Sequence, residues 1–178
     1  MIFTELPLSG AYVIDVEPIR DDRGLNARTY CEREFSGHGL RTPMVQTNVI
    51  QNLARGTLRG FHWQDPPHLE AKLFRCTRGA VWDVIIDMRP ESPTFEQWTA
   101  VELDARNRRQ LYVPEQFAQG FVTIEDDTEL TYQTSEFHTP GAERGIRWDD
   151  PGFAIPWAVQ PGVMSAKDAA WPDHRRST

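Results

Sequence analysis

Apolar and polar residues alternate in short runs along most of the chain: AYVIDV at 11–16, TNVIQNLA at 47–54, LFRCTRGAVWDVIIDM at 73–88, WTAVEL at 98–103, RQLYVP at 109–114 and GFVTI at 120–124. Glycine, proline, asparagine and aspartate stand between the runs, and a period of two bounded by turn residues predicts short β-strands. Helical periodicity shows only from Glu32 to Phe35 and from Ser165 to Ala170, where Ser165 is placed to act as an N-cap. Closely spaced strands with no helices alternating between them predict an all-β fold with a few short helices. An antiparallel sandwich, jelly roll or barrel is expected rather than a doubly wound sheet. The proline-rich piece from Pro151 to Pro161 reads as an extended segment lying over the body.

Composition narrows the function classes. The 178 residues, 39% of them hydrophobic, fit one domain spanning 1–178 around one sizeable core. With 19 basic residues against 26 acidic the net charge is −7, the wrong sign for neutralising a phosphate backbone, so no nucleic-acid partner is expected. No run approaches the roughly 20 apolar residues that span a bilayer. The start MIFTELPLSG has neither the basic residues nor the apolar stretch of a secretory signal, so the expectation is a cytoplasmic protein without a membrane partner. In that compartment Cys31 and Cys76 are thiols, read as small fillers without chemistry. Of the 19 basic residues only Lys72 and Lys167 are lysine, which marks a lysine here as a position to examine.

Several polar residues stand where a strand would otherwise be apolar. In ARGTLRGFHWQ at 54–64, alternation puts Phe61 and Trp63 on one face and Gly60, His62 and Gln64 on the other. His62 is either a satisfied structural histidine or part of a polar pocket with Arg59 and Gln64, a grouping suited to an anionic ligand. Lys72 shares a face with Phe74 and Cys76. It is either an exposed strand-end lysine or an ammonium facing into a barrel, where it would stabilise an enolate oxygen. Asp83, inside VWDVIID, must be paired if buried, as a structural acceptor or in a charged pocket. Tyr132 is a wall residue or a phenolic proton donor, and Asp168 a helix-end carboxylate or the partner that orients His62.

Other chemistries lack their signatures. The histidines at 38, 62, 68, 138 and 174 form no HxH or HxxxH pair, which speaks against a metal. No GxSxG elbow, Walker loop or dinucleotide glycine fingerprint occurs. Acid–base work in a polar-lined β pocket, with no metal and no cofactor, remains.

The ordered motifs DDRG at 21–24, QTN at 46–48, GTLRGFHWQ at 56–64, AKLFRCTRGAVWDVIIDMRPESPTF at 71–95, LYVPEQFAQGF at 111–121, TYQTSEF at 131–137, RGIRWDDP at 144–151 and SAKD at 165–168 carry a resemblance. The chain resembles the dTDP-4-dehydrorhamnose 3,5-epimerase family, metal-independent cupins of sugar-nucleotide metabolism. The resemblance implies a cupin-type jelly-roll barrel, a nucleotide-diphosphate sugar as substrate, and a homodimer whose N-terminal strands cross to the partner, so that AYVIDV would pair with a second subunit. It assigns His62 as the base, Asp168 as its partner, Lys72 as the enolate stabiliser and Tyr132 as the residue that returns a proton. Arg23, Gln46, Asn48 and Arg59 fall on positions that hold the diphosphate or line the pocket, and Asp83, Gln119 and His138 are taken as further substrate-binding positions. Three departures accompany it: Gln119 where the family has a histidine in FAHGF, His138 near a position usually aromatic, and RGLNAR, with Asn26 and Arg28, for RGxFxE. These leave C3 alone or C3 and C5 as sites of inversion. Alternatives are another rearrangement of a keto intermediate, or a sugar-nucleotide-binding cupin without turnover.

Overall fold

The computed structural model describes residues 1–174; residues 175–178, the end of the expected domain, lie outside the described residues. Along the chain run β1 (Ile2–Glu5), β2 (Tyr12–Asp15), β3 (Ile19–Asp21), β4 (Gly24–Asn26), α1 (Glu32–Gly37), β5 (Gln46–Asn52), β6 (Leu58–Gln64), β7 (Lys72–Arg78), β8 (Ala80–Asp87), β9 (Trp98–Asp104), β10 (Gln110–Val113), β11 (Phe117–Thr123), β12 (Thr128–Thr134), β13 (Glu143–Gly145) and α2 (Ala166–Ala169). One sheet has the order β1-β2-β10-β7-β12-β5 and the facing one β13-β6-β11-β8-β9, while β3 and β4 form a separate hairpin. Neighbours within each sheet pair antiparallel, as the close strand spacing predicts for a jelly roll.

The side-chain period of two explains the layers. Between the sheets lie Phe74, Cys76, Val81, Ile85, Leu103, Leu111, Phe121 and Leu130. The outer face of the five-stranded sheet is covered where Phe61, Val84, Ile86 and Ala118 meet Ile146, Phe153 and Trp157, so the segment 151–161 does lie over the body. The outer face of the other sheet buries Ile14, Leu73 and Tyr112 beneath Phe35 of α1. β8 is therefore buried on both faces, which hides its alternation: Asp83 points inward with Val81 and Ile85.

Two expectations need correction. AYVIDV does not offer a free edge to a partner, because β2 is hydrogen-bonded on one side to β1 and on the other to β10. Arg59, which strict alternation sets with Phe61 and Trp63, instead shares a face with His62. His62 lies opposite Gln119 and Arg59 opposite Phe121, three residues against two, so a β-bulge reverses the parity. Gly60 permits it: at φ +119° a Cβ would stand 2.3 Å from Gly120 Cα and 2.6 Å from the Gln119 oxygen.

Candidate active site

A cleft of about 810 Å³ opens between the two sheets and holds the polar residues the alternation singled out. β5 turns Gln46, Asn48 and Ile50 into it, β6 Arg59, His62 and Gln64, β7 Lys72 and Phe74, β11 Gln119, and β12 Tyr132, with α2 closing one side through Asp168. His62 thus stands on one wall, and Lys72 and Tyr132 on the other.

The capped helix delivers the carboxylate. Ser165 Oγ accepts from the Asp168 amide at 3.0 Å, and the Asp168 side chain, at N3, reaches back to His62, with Oδ1 2.6 Å from Nε2. Burial alone would raise the Asp168 pKa; hydrogen bonds from His62, Ser165 and the Gly60 backbone outweigh it and hold the carboxyl below its ordinary value. A carboxylate only accepts, so Nε2 carries the hydrogen, and Nδ1 is the basic nitrogen of neutral His62. Nδ1 lies 3.8 Å from Glu143 Oε1, whose other oxygen is held by Lys167.

Lys72 is buried at 9% exposure; its ammonium lies 3.1 Å from Glu70 Oε1 and donates to the His62 carbonyl at 3.2 Å. Two of its three hydrogens are thereby used, leaving one for an oxygen in the cleft. Tyr132 stacks on Phe74 with ring centroids 4.8 Å apart and planes 8° from parallel. Burial first, and then the Glu70 charge, raise the phenol pKa against the opposing charge of Arg59. Tyr132 is therefore a protonated donor at neutral pH.

Among the binding positions, Gln46 donates to Asn48 at 3.1 Å, Asn48 Nδ2 is buried without a partner among the described residues, and Arg59 Nε donates to Asn52 at 2.8 Å. His138 sits exposed on the rim, where Gln64 Oε1 accepts from the Thr139 amide at 2.8 Å and ties that segment to β6. Two positions do not reach the cleft. Arg23 projects from the β3–β4 hairpin with an 89% exposed side chain and pairs with Asp21 at 2.5 Å. Asp83 is wholly buried beneath Gln119, so it makes no substrate contact. Among the described residues no group of three or more His, Cys, Asp or Glu could hold a metal, and no helix is long and apolar enough to cross a membrane.

Sequence reasoning missed Glu70 and Glu143, and marked Lys167 only as a lysine to examine, without a place in the site. Lysine scarcity was a signal for the last, since both lysines of the chain line this cleft. Glu70, two positions before Lys72 in an extended stretch, was within reach of the same alternation.

Burial pushes Asp83 up to about 7, against the hydrogen bonds of Gln119 and the charge of Lys72. The folded state therefore binds its proton more tightly than the unfolded chain, and Asp83 costs stability as pH rises from about 4 towards 7. Asp83→Asn removes that titration, so its melting temperature is expected to gain on the wild type over this window and to run parallel above it. Parallel curves from pH 4 to 8 would place the Asp83 pKa near its unfolded value.

A carbon acid held between these walls can lose a proton to one and regain it from the other, which is the chemistry of an epimerase built on a cupin barrel. A family model described as dTDP-4-dehydrorhamnose 3,5-epimerase matches residues 5–175. The dTDP-4-dehydrorhamnose 3,5-epimerase of Shigella flexneri is 38% identical over 169 residues, 94% of this chain and 92% of that protein. The crystal structure of dTDP-4-dehydrorhamnose 3,5-epimerase from Bacillus anthracis with TDP and PPi bound superimposes with a TM-score of 0.93 at 36% identity, covering 97% of this chain and 99% of that one. A 3'-monoepimerase from Streptomyces bikiniensis in complex with dTDP-quinovose gives 0.84 at 32% identity, covering 94% and 85%. The chain belongs to the dTDP-4-dehydrorhamnose 3,5-epimerase family.

Proposed function

We propose that the protein epimerises a nucleotide-linked 4-keto-6-deoxyhexose, with His62 as base and Tyr132 as acid. The observation that carries this is the placement of the paired imidazole on one sheet and the ammonium and phenol on the other, with room for a sugar ring between. His62 Nδ1 takes the proton from a carbon beside the C4 ketone. The C–H electron pair becomes the ring C=C bond, and the carbonyl pair moves onto the C4 oxygen, where the remaining Lys72 hydrogen meets the growing charge. Tyr132 then protonates the same carbon from the opposite face as the oxygen pair returns to C=O, and solvent restores both groups. Arg59 and the unpartnered Asn48 amide take the diphosphate, supplying remote binding energy that holds the carbon against His62.

The test is proton NMR of the protein with dTDP-4-keto-6-deoxyglucose in heavy water. Solvent deuterium should enter the carbons flanking the ketone. Nucleotide-sugar binding without label in any keto sugar would leave a binding cupin in place of an enzyme.

The same reading includes a cytoplasmic two-fold homodimer. Its support is the hairpin that carries Arg23 and the 75% exposed Ile19 away from its own cleft, a position from which a binding arginine serves only a neighbouring subunit. Light scattering should return twice the chain mass, and a monomer mass at every concentration would overturn this part.

A further inference from the structure

Gln119 sits in the cleft at 5% exposure, and ionised Asp83 beneath it sets which way its amide lies. Nε2 donates to both oxygens of Asp83, at 3.1 and 3.0 Å, while Oε1 has no hydrogen-bond partner among the described residues and is not sealed from the cleft. While Asp83 is ionised, turning the amide over would set its carbonyl against a carboxylate that has no hydrogen to give, leaving Asp83 without the donor that offsets its burial. The side chain thus presents an acceptor to the cleft that water can satisfy while the cleft is empty; once a sugar ring displaces that water, the acceptor is left unpaired unless the ring supplies a hydrogen.

The position of that acceptor limits which hydrogen it takes. Gln119 is the direct cross-strand partner of His62 on the same face, and side chains so paired stand about 5 Å apart at Cβ. A ring whose carbon lies against the imidazole therefore also lies beside the Gln119 side chain.

We propose that Gln119 is a specificity-determining residue whose carbonyl oxygen accepts a hydrogen bond from a hexose hydroxyl on, or next to, the carbon that His62 deprotonates. This rests on the epimerase reading. The site then favours hexoses that keep a hydroxyl at C2 and C3 over deoxygenated ones, because a missing hydroxyl leaves Oε1 buried and unpaired. Asp83 acts through it as a positioning residue: it holds the amide and never touches the sugar.

The experiment crosses substrate with variant. In the wild type, kcat/KM for deuterium exchange is measured with the parent keto sugar and with its 2-deoxy and 3-deoxy analogues. One analogue should fall by roughly 10- to 100-fold. In Gln119→Leu that ratio should collapse towards one, the parent losing what the analogue had already lost. Because Gln119→Leu strands Asp83, the double variant Asp83→Leu/Gln119→Leu, which replaces both partners with apolar groups, is measured alongside and should show the same collapse. A merely structural Gln119 predicts equal losses for all three sugars, with the wild-type ratios intact in both variants. Parent exchange at a normal rate with no discrimination in the wild type would also overturn the proposal while leaving the epimerase reading standing, whereas absence of exchange with the parent sugar would defeat the epimerase reading itself.

Discussion

Replacing His62 with alanine is expected to lower deuterium exchange at the sugar by a factor of about 10² to 10⁴ while sparing nucleotide-sugar binding. The magnitude follows from how little else in the cleft can act as base. Asp168, 2.6 Å from Nε2, holds the imidazole in the tautomer that leaves Nδ1 free, and it stabilises the charge that forms when Nδ1 takes a proton. Glu143 is the nearest other carboxylate, but Lys167 occupies it. The groups proposed to grip the diphosphate, Arg59 and Asn48, do not hydrogen-bond to His62, so binding should survive. Asp168→Asn should act in the same direction with smaller effect, because the amide oxygen still accepts the Nε2 hydrogen but brings no charge. Exchange at the wild-type rate in His62→Ala would mean that the base lies elsewhere. An unchanged rate in Asp168→Asn would leave Asp168 as a helix-end residue.

How far the sequence foretold this site depends on how local each determinant is. Strand alternation sufficed for Lys72, Phe74 and Cys76, which do share the inward face of β7, and the Ser165 cap was legible because capping is written within one turn. Alternation failed at Arg59, where the bulge depends on a close approach of Gly60 to Gly120, two residues 60 positions apart in sequence. β1 and β13 escaped notice for a related reason. Ile2–Glu5 and Glu143–Gly145 are short, contain no buried residue, and are held as strands by pairing with β2 and β6. The pairing of His62 with Asp168 spans 106 positions, so the residues alone left Asp168 open between a helix-end carboxylate and a partner of His62, and only the resemblance chose the second. The placement of AYVIDV went wrong because the same apolar edge that would attract a partner subunit is satisfied within the chain.

Tyr132→Phe is expected to separate the two proton transfers that wild-type turnover joins. The variant keeps His62 and its aspartate, so label should still enter the sugar, while inverted product should fall by roughly a hundredfold or more because the donor on the opposite wall is gone. The ring stack on Phe74 survives the substitution, which keeps the wall in place and ties the loss to the hydroxyl. If Tyr132 serves only as a wall residue, the variant turns over almost normally. Following C3 and C5 separately adds the stereochemical answer. Label and inversion at both carbons in the wild type make the protein a 3,5-epimerase, and label confined to C3 makes it a mono-epimerase, as the similarity to the Streptomyces bikiniensis protein allows. His138 gives this distinction its structural interest, since it stands on the cleft rim on a segment that Gln64 ties to the strand of the base. An imidazole there can carry a proton and is a second candidate donor for a ring turned to present its other carbon. Full inversion in Tyr132→Phe would remove the phenol from the mechanism and make His138 the donor to test next; retained exchange with lost inversion would assign the opposite-face proton to Tyr132.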